Sequence, residues 1–160
     1  MNKTKRKIFE TSMKLFAEKG YDATSIEEIT SIVGVAKGTL YYHFSSKEEI
    51  FHFLVDEGMK LLQNSISIKT AQKTNSIDKL KSIVLIQLKV LYKYEDFMTI
   101  IFSQLWGNEP RNIECKKYVV QYLKIIEEII QDGINKGEII EADSETIASE
   151  IFSTTCISLI

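Results

Sequence analysis

Apolar residues recur at three-to-four spacing along most of the chain, with charged side chains between them, and no useful stretch alternates in period two. That pattern predicts helices throughout. The first, over residues 5–19, puts Ile8, Phe9, Met13, Leu15 and Phe16 on one face and is stopped by Gly20. Thr24-x-x-Glu27 and Ser25-x-x-Glu28 then read as a doubled capping box, in which hydroxyl and carboxylate satisfy the orphan N–H groups of a helix start. Ile26, Ile29, Ile32 and Val33 give this second helix its apolar face, and Gly34 stands where a helix exits through a left-handed residue. After Val35 the chain restarts at Lys37, with Leu40 and Phe44 one turn apart to face inward. Lys37, Gly38, Thr39, Tyr41, Tyr42 and His43 are left outside. Two short helices about a glycine-containing turn, the second exposing a cation, hydroxyls and aromatic tips, form the pattern of a helix-turn-helix reader.

Ser45-x-x-Glu48 and Ser46-x-x-Glu49 are a second pair of capping boxes, opening a fourth helix through Ile50, Phe51, Leu54, Val55, Met59 and Leu62 to about Asn64. Residues 65–75 are polar, β-branched and weakly periodic, which predicts a connecting loop. Helical spacing resumes from Ser76 and again from Glu95 to Trp106, where Gly107-Asn108-Glu109-Pro110 makes a turn. Pro110 suits the first turn of a long helix reaching about Asn135. Asp143 or Ser144 caps a last helix that includes Ile151, Phe152, Thr155, Cys156 and Leu159 and is still amphipathic at Ile160, so either a further C-terminal helix is expected to be missing or this face is expected to be buried in an assembly. The expected division is a helix-turn-helix DNA-binding domain over 1–47, a connecting helix over 47–64, and a helical domain over 65–160.

Composition supports an all-α fold: one proline and seven glycines among 160 residues leave long runs of Ile, Leu, Lys and Glu. No signal peptide or membrane-spanning run is read, and two widely separated cysteines suit a reducing cytoplasm rather than a disulfide scaffold or zinc cluster. The total charge of −2 hides an asymmetry. Up to Lys47 there are eight basic and five acidic side chains, a net +3, which leaves −5 for the remainder. That suits a phosphate-facing N-terminal module. The basic start, with Lys5 and Arg6, is placed to lie across a phosphate backbone.

Together Ile8, Leu15-Phe16, Gly20-Tyr21, Thr24-Ser25, Ile29, Gly34-Val35, Lys37-Gly38-Thr39-Leu40-Tyr41, His43-Phe44 and Lys47 resemble the TetR family of one-component transcriptional regulators. The resemblance spans about the first 55 residues. It implies that Thr24 and Ser25 touch phosphate, that Lys37 meets a base edge or phosphate, and that Gly38 and Thr39 permit close approach in the major groove. Tyr41, Tyr42 and His43 would hold the DNA backbone, with Lys47 at the next helix start. Ala36 departs from the pattern: a hydroxyl residue is usual there, and its loss removes a helix cap. The resemblance of these N-terminal residues, rather than the pattern of the helical domain over 65–160, further implies that this domain has a ligand-binding and dimerisation role, with an apolar inducer pocket among residues such as Tyr92, Phe97, Phe102, Trp106, Tyr118 and Tyr122.

No paired acids in an apolar setting, no Ser/His/Asp arrangement and no phosphate-binding glycine loop appear, so neither catalysis nor a cofactor or metal is expected. The expected function is a ligand-responsive repressor, dimeric on a palindromic DNA operator and released by a small hydrophobic molecule. The competing expectation is a helical ligand- or protein-binding module that no longer reads DNA. A modest +3 charge is too little for tight binding by one reading head, which is why a homodimer is expected.

Overall fold

The computed structural model describes residues 1–157, and all their regular structure is α-helical. The helices are α1 (Lys3–Lys19), α2 (Ile26–Val33), α3 (Lys37–His43), α4 (Lys47–Thr70), α5 (Ser76–Lys93), α6 (Glu95–Ser103), α7 (Pro110–Asn135) and α8 (Ser144–Ile157). Leu159, expected on the last helix, lies outside the described residues. No described helix is long and apolar enough to cross a membrane.

The chain divides into two compact units. The first holds residues 1–58 together with 96–113; the second holds 59–95 and the chain from Glu114 onwards. In the first, α1, α2 and α3 close over Ile8, Leu15, Phe16, Ile29, Leu40 and Phe44, joined by Ile50, Phe51 and Leu54 of α4, all buried. Gly58 is where α4 passes α6: a methyl group there would overlap the ring of Phe97. In the second unit the core is built on Ile66, Ile83, Tyr122, Ile126, Ile130 and Ala148. One polar pair interrupts it. Tyr122 donates to Gln87 Oε1 at 2.7 Å, and Gln87 Nε2 donates to the Phe152 carbonyl at 3.2 Å, so the buried amide and hydroxyl satisfy each other's demand.

Three boundaries differ from the sequence pattern, each for a local reason. α1 starts at Lys3 because Asn2 caps it, its Oδ1 accepting from the Lys5 N–H at 2.8 Å. α4 continues into the predicted loop as far as Thr70, leaving residues 71–75 as the connection. Ser65 and Thr70 return their hydroxyls to the carbonyls of Leu61 (2.8 Å) and Ile66 (2.9 Å), so groups that often compete with a helix bond within it, while Ile66 anchors the segment in the core. α6 stops at Ser103, short of Trp106, where the backbone tightens into three-residue bonds from Gln104 to Ile101 and from Leu105 to Phe102. Pro110 takes the first position of α7, as its missing N–H allows.

Candidate nucleic-acid interface

The reading motif is set by the turn between α2 and α3. Gly34 has φ 75°, a left-handed value that a side chain would strain, and its N–H and that of Val35 both reach the Thr30 carbonyl, at 2.9 and 3.1 Å. Ser25 alone caps α2, accepting from the Glu28 N–H at 3.1 Å. The Thr24 hydroxyl turns back to the Gly20 carbonyl at 2.9 Å instead, so the doubled box is a single cap. α3 has no side-chain cap at Ala36, and its first turn rests on backbone bonds from Thr39 and Leu40 to the Ala36 carbonyl. Ser46 caps α4 through the Glu49 N–H, while Glu49 reaches back to the N–H and hydroxyl of Ser45.

Burial of Leu40 and Phe44 fixes which side of α3 faces inward. Lys37, Gly38, Thr39, Tyr41 and Tyr42 are exposed, Tyr42 at 84%, and His43 is half-buried with its ring edge-on to Tyr42. Gly38 has no positive φ, and a Cβ on it would meet nothing within 4 Å. Nothing in the folded chain therefore calls for a glycine there. Lys37 pairs with Glu27 across the α2–α3 angle; the hydrogen bond raises the lysine pKa and lowers that of the glutamate. Both side chains are open to water, so the pair is weak and exchangeable. Arg6 is held similarly by Glu10 at 2.7 Å on the surface of α1. Lys5 leans over the rings of Phe44 and Phe53, 4.7 and 4.6 Å from their centroids.

Thr24 and Lys47 differ from the rest of the expected set. Thr24 is 1% exposed. The Lys47 ammonium donates to the carbonyls of Tyr21 and Thr24, each at 2.8 Å, and sits 4.3 Å above the Tyr21 ring. In this conformation both brace the α1–α2 turn from within rather than present donors outward. They gather around Tyr21, a residue of the family pattern to which the sequence assigns no role. Tyr21 is buried, donates to Glu48 Oε1 at 2.7 Å and carries Arg111 on its ring; burial and the neighbouring carboxylate push its hydroxyl pKa well up, and the bond it gives holds that of Glu48 down. The place of Tyr21 after the helix-stopping Gly20, within the family pattern, marks the position in the sequence without revealing these partners.

The six aromatic residues expected to line a pocket fall three to each unit: Phe97, Phe102 and Trp106 in the first, Tyr92, Tyr118 and Tyr122 in the second. Tyr92 and Trp106 are 86% and 79% exposed, while Phe97 and Tyr122 are buried. A surface groove of about 480 Å³ in the second unit runs between α4 and α7, lined by polar side chains such as Gln63, Asn64, Gln121, Lys124 and Glu128 and by none of the six.

Residues 8–54, which take in the reading motif, match the bacterial regulatory proteins of the tetR family. Over 114 residues the chain is 40% identical to IcaR of Staphylococcus aureus, the HTH-type negative transcriptional regulator of the biofilm operon icaADBC, a match covering 71% of this chain and 59% of IcaR. The fold superposes on a Clostridium perfringens protein, provisionally described as a fatty acid metabolism regulator, with a TM-score of 0.86 and 36% identity over 96% of this chain and 85% of that one. The chain belongs to the TetR family. Another solved structure, of the fatty acid degradation regulator FadR from Bacillus halodurans, is 25% identical with a TM-score of 0.83, covering 98% of this chain and 82% of its own. The chain spans between half and three fifths of the length of the curated relatives it matches, 50% for YerO of Bacillus subtilis and 59% for IcaR. The matched residues contain α2 and α3, which form the helix-turn-helix.

Proposed function

We propose that this chain is a ligand-responsive transcriptional repressor that binds a palindromic DNA operator as a dimer and releases it when a small hydrophobic molecule binds. The observation that carries the DNA-reading part is the outward side of α3, where an unneeded glycine stands between Lys37 and a cluster of Thr39, Tyr41 and Tyr42. A backbone bare at Gly38 allows a base edge or phosphate to come closer than any side chain would permit. Lys37 supplies charge after exchanging Glu27 for the DNA, and Tyr42 and His43 hold the phosphate backbone. Ser25, Lys5 and Arg6 add contacts at its flanks.

Repression is supported by the negative regulator IcaR, and a fatty-acyl type of ligand by the relatives described as fatty acid regulators. Ligand binding among the helices of the second unit would act through α4, whose residues belong to both units. The test is fluorescence anisotropy with DNA from upstream of the chain's own gene. Wild type is expected to prefer one palindromic segment, and Lys37→Ala combined with Tyr42→Ala is expected to abolish that preference. Sequence-independent binding that both substitutions leave untouched would overturn the reading in favour of a helical module without DNA recognition.

A further inference from the structure

We infer that Arg111, at the start of α7 and outside the helix-turn-helix, is a positioning residue for DNA reading: it locks the α1–α2 turn, which sets the N-terminus of α2. The inference rests on the proposal that this motif binds DNA. Residues 20–24 carry the chain from α1 to the Ser25 cap without a helix of their own, so something else must fix them. They bury Thr24 and, as their one large side chain, Tyr21. Its ring has Phe16 and Phe51 at centroid distances of 5.3 and 5.2 Å and two cations over it, Lys47 and Arg111, the guanidinium carbon of the latter at 4.8 Å.

Arg111 is not a mobile surface cation. Its side chain is 21% exposed, its Nε donates to Gln104 Oε1 at 3.0 Å, and its NH2 group donates to Asp22 Oδ2 at 2.8 Å. Gln104 is itself buried and is held by Asn112, whose Nδ2 donates both to the Gln104 carbonyl and to its Oε1 at 3.0 Å. Asn112 Oδ1 in turn accepts from the Glu109 N–H at 3.0 Å. Two buried amides, Gln104 of the α6–α7 turn and Asn112 in the first turn of α7, therefore aim the guanidinium before it meets the α1–α2 turn. The ion pair with Asp22, which is 79% exposed, is the weaker part of the contact. The planar fork, stacked on Tyr21 while bonding at two edges, is the stronger part, and lysine cannot reproduce it. Beyond Tyr21 the bonds continue: Lys47 holds the carbonyls of Tyr21 and Thr24, and Ser25 follows. The α6–α7 turn and the entrance to α2 are thereby tied through side chains rather than along the chain.

The test uses the full chain with Arg111→Met, which keeps an apolar stem, and with Arg111→Lys. Operator affinity is read by anisotropy across a salt series, and backbone mobility by hydrogen–deuterium exchange. For Arg111→Met the expected results are a fall in affinity of about tenfold, the size of effect seen between coupled contacting groups, an unchanged salt slope, and faster exchange confined to residues 20–25. Arg111→Lys is expected to recover only part of the affinity. Unchanged affinity with unchanged exchange at 20–25 would overturn the inference. So would a salt slope lowered by about one, which marks a lost phosphate contact, or faster exchange spread over α5 and α8, which marks general destabilisation. If wild type shows no operator preference, the DNA-reading proposal fails, and unchanged exchange at 20–25 in Arg111→Met would separately remove the lock.

Discussion

At the scale of single residues, Gly38 separates what the fold needs from what DNA reading needs. Glycine inside a helix costs up to about 1 kcal/mol against alanine, and open space surrounds its Cα. Gly38→Ala should therefore raise stability by up to about 1 kcal/mol in urea unfolding, while lowering operator affinity because the new methyl group stands where the DNA must approach. A variant that gains stability and keeps full affinity would remove Gly38 from the interface. The outward set on α3 was legible in sequence because Leu40 and Phe44, one turn apart, fix the helix rotation. The inward turns of Thr24 and Lys47 were not. Thr24 turns on the Gly20 carbonyl and Lys47 on the Tyr21 carbonyl and ring, groups whose positions come from the folded α1–α2 turn, which local spacing cannot reveal.

At the scale of helices, length and close approach matter more than propensity. The α4–α6 approach at Gly58 leaves no room for a Cβ beside the buried Phe97 ring. Gly58→Ala should destabilise the chain by about 1–3 kcal/mol, the usual cost of overfilling a packed site, measured as a lower urea midpoint at constant m-value. Adding Phe97→Leu should return part of the loss by vacating the space; a fully additive loss would show that the two positions do not meet. The starts of α2, α4 and α5 were readable from Ser25, Ser46 and the return of spacing at Ser76, since caps act within one turn. The end of α4 is hidden in the sequence because its last six residues look like a loop by composition. Burial of Ile66 and the hydroxyl bonds of Ser65 and Thr70 override that composition, and these are tertiary and conformational facts.

For the molecule as a whole, the all-α class follows from the period of the apolar residues, but the grouping of residues 96–113 with the reading motif does not, because no periodicity encodes which distant helices meet. Charge is legible at this scale, and it bears on affinity. With a net +3 up to Lys47 and −5 beyond it, one reading head attracts DNA only modestly while the rest of the chain repels it. Of the expected contact residues, Lys5, Arg6 and Lys37 have partners, aromatic faces or exposed carboxylates, weak enough to yield to phosphate. Two such heads in the proposed dimer would neutralise about six phosphates, which gives a slope of about −5 for log affinity against log salt and about a thousandfold loss between roughly 50 and 200 mM. Anisotropy titrations at four or more salt concentrations measure this directly. A slope of about half that size, unchanged when the palindrome is cut to one half-site, would mean that a single head binds alone; the modest charge of the N-terminal module would then have to be offset by base contacts from α3 rather than by a second copy.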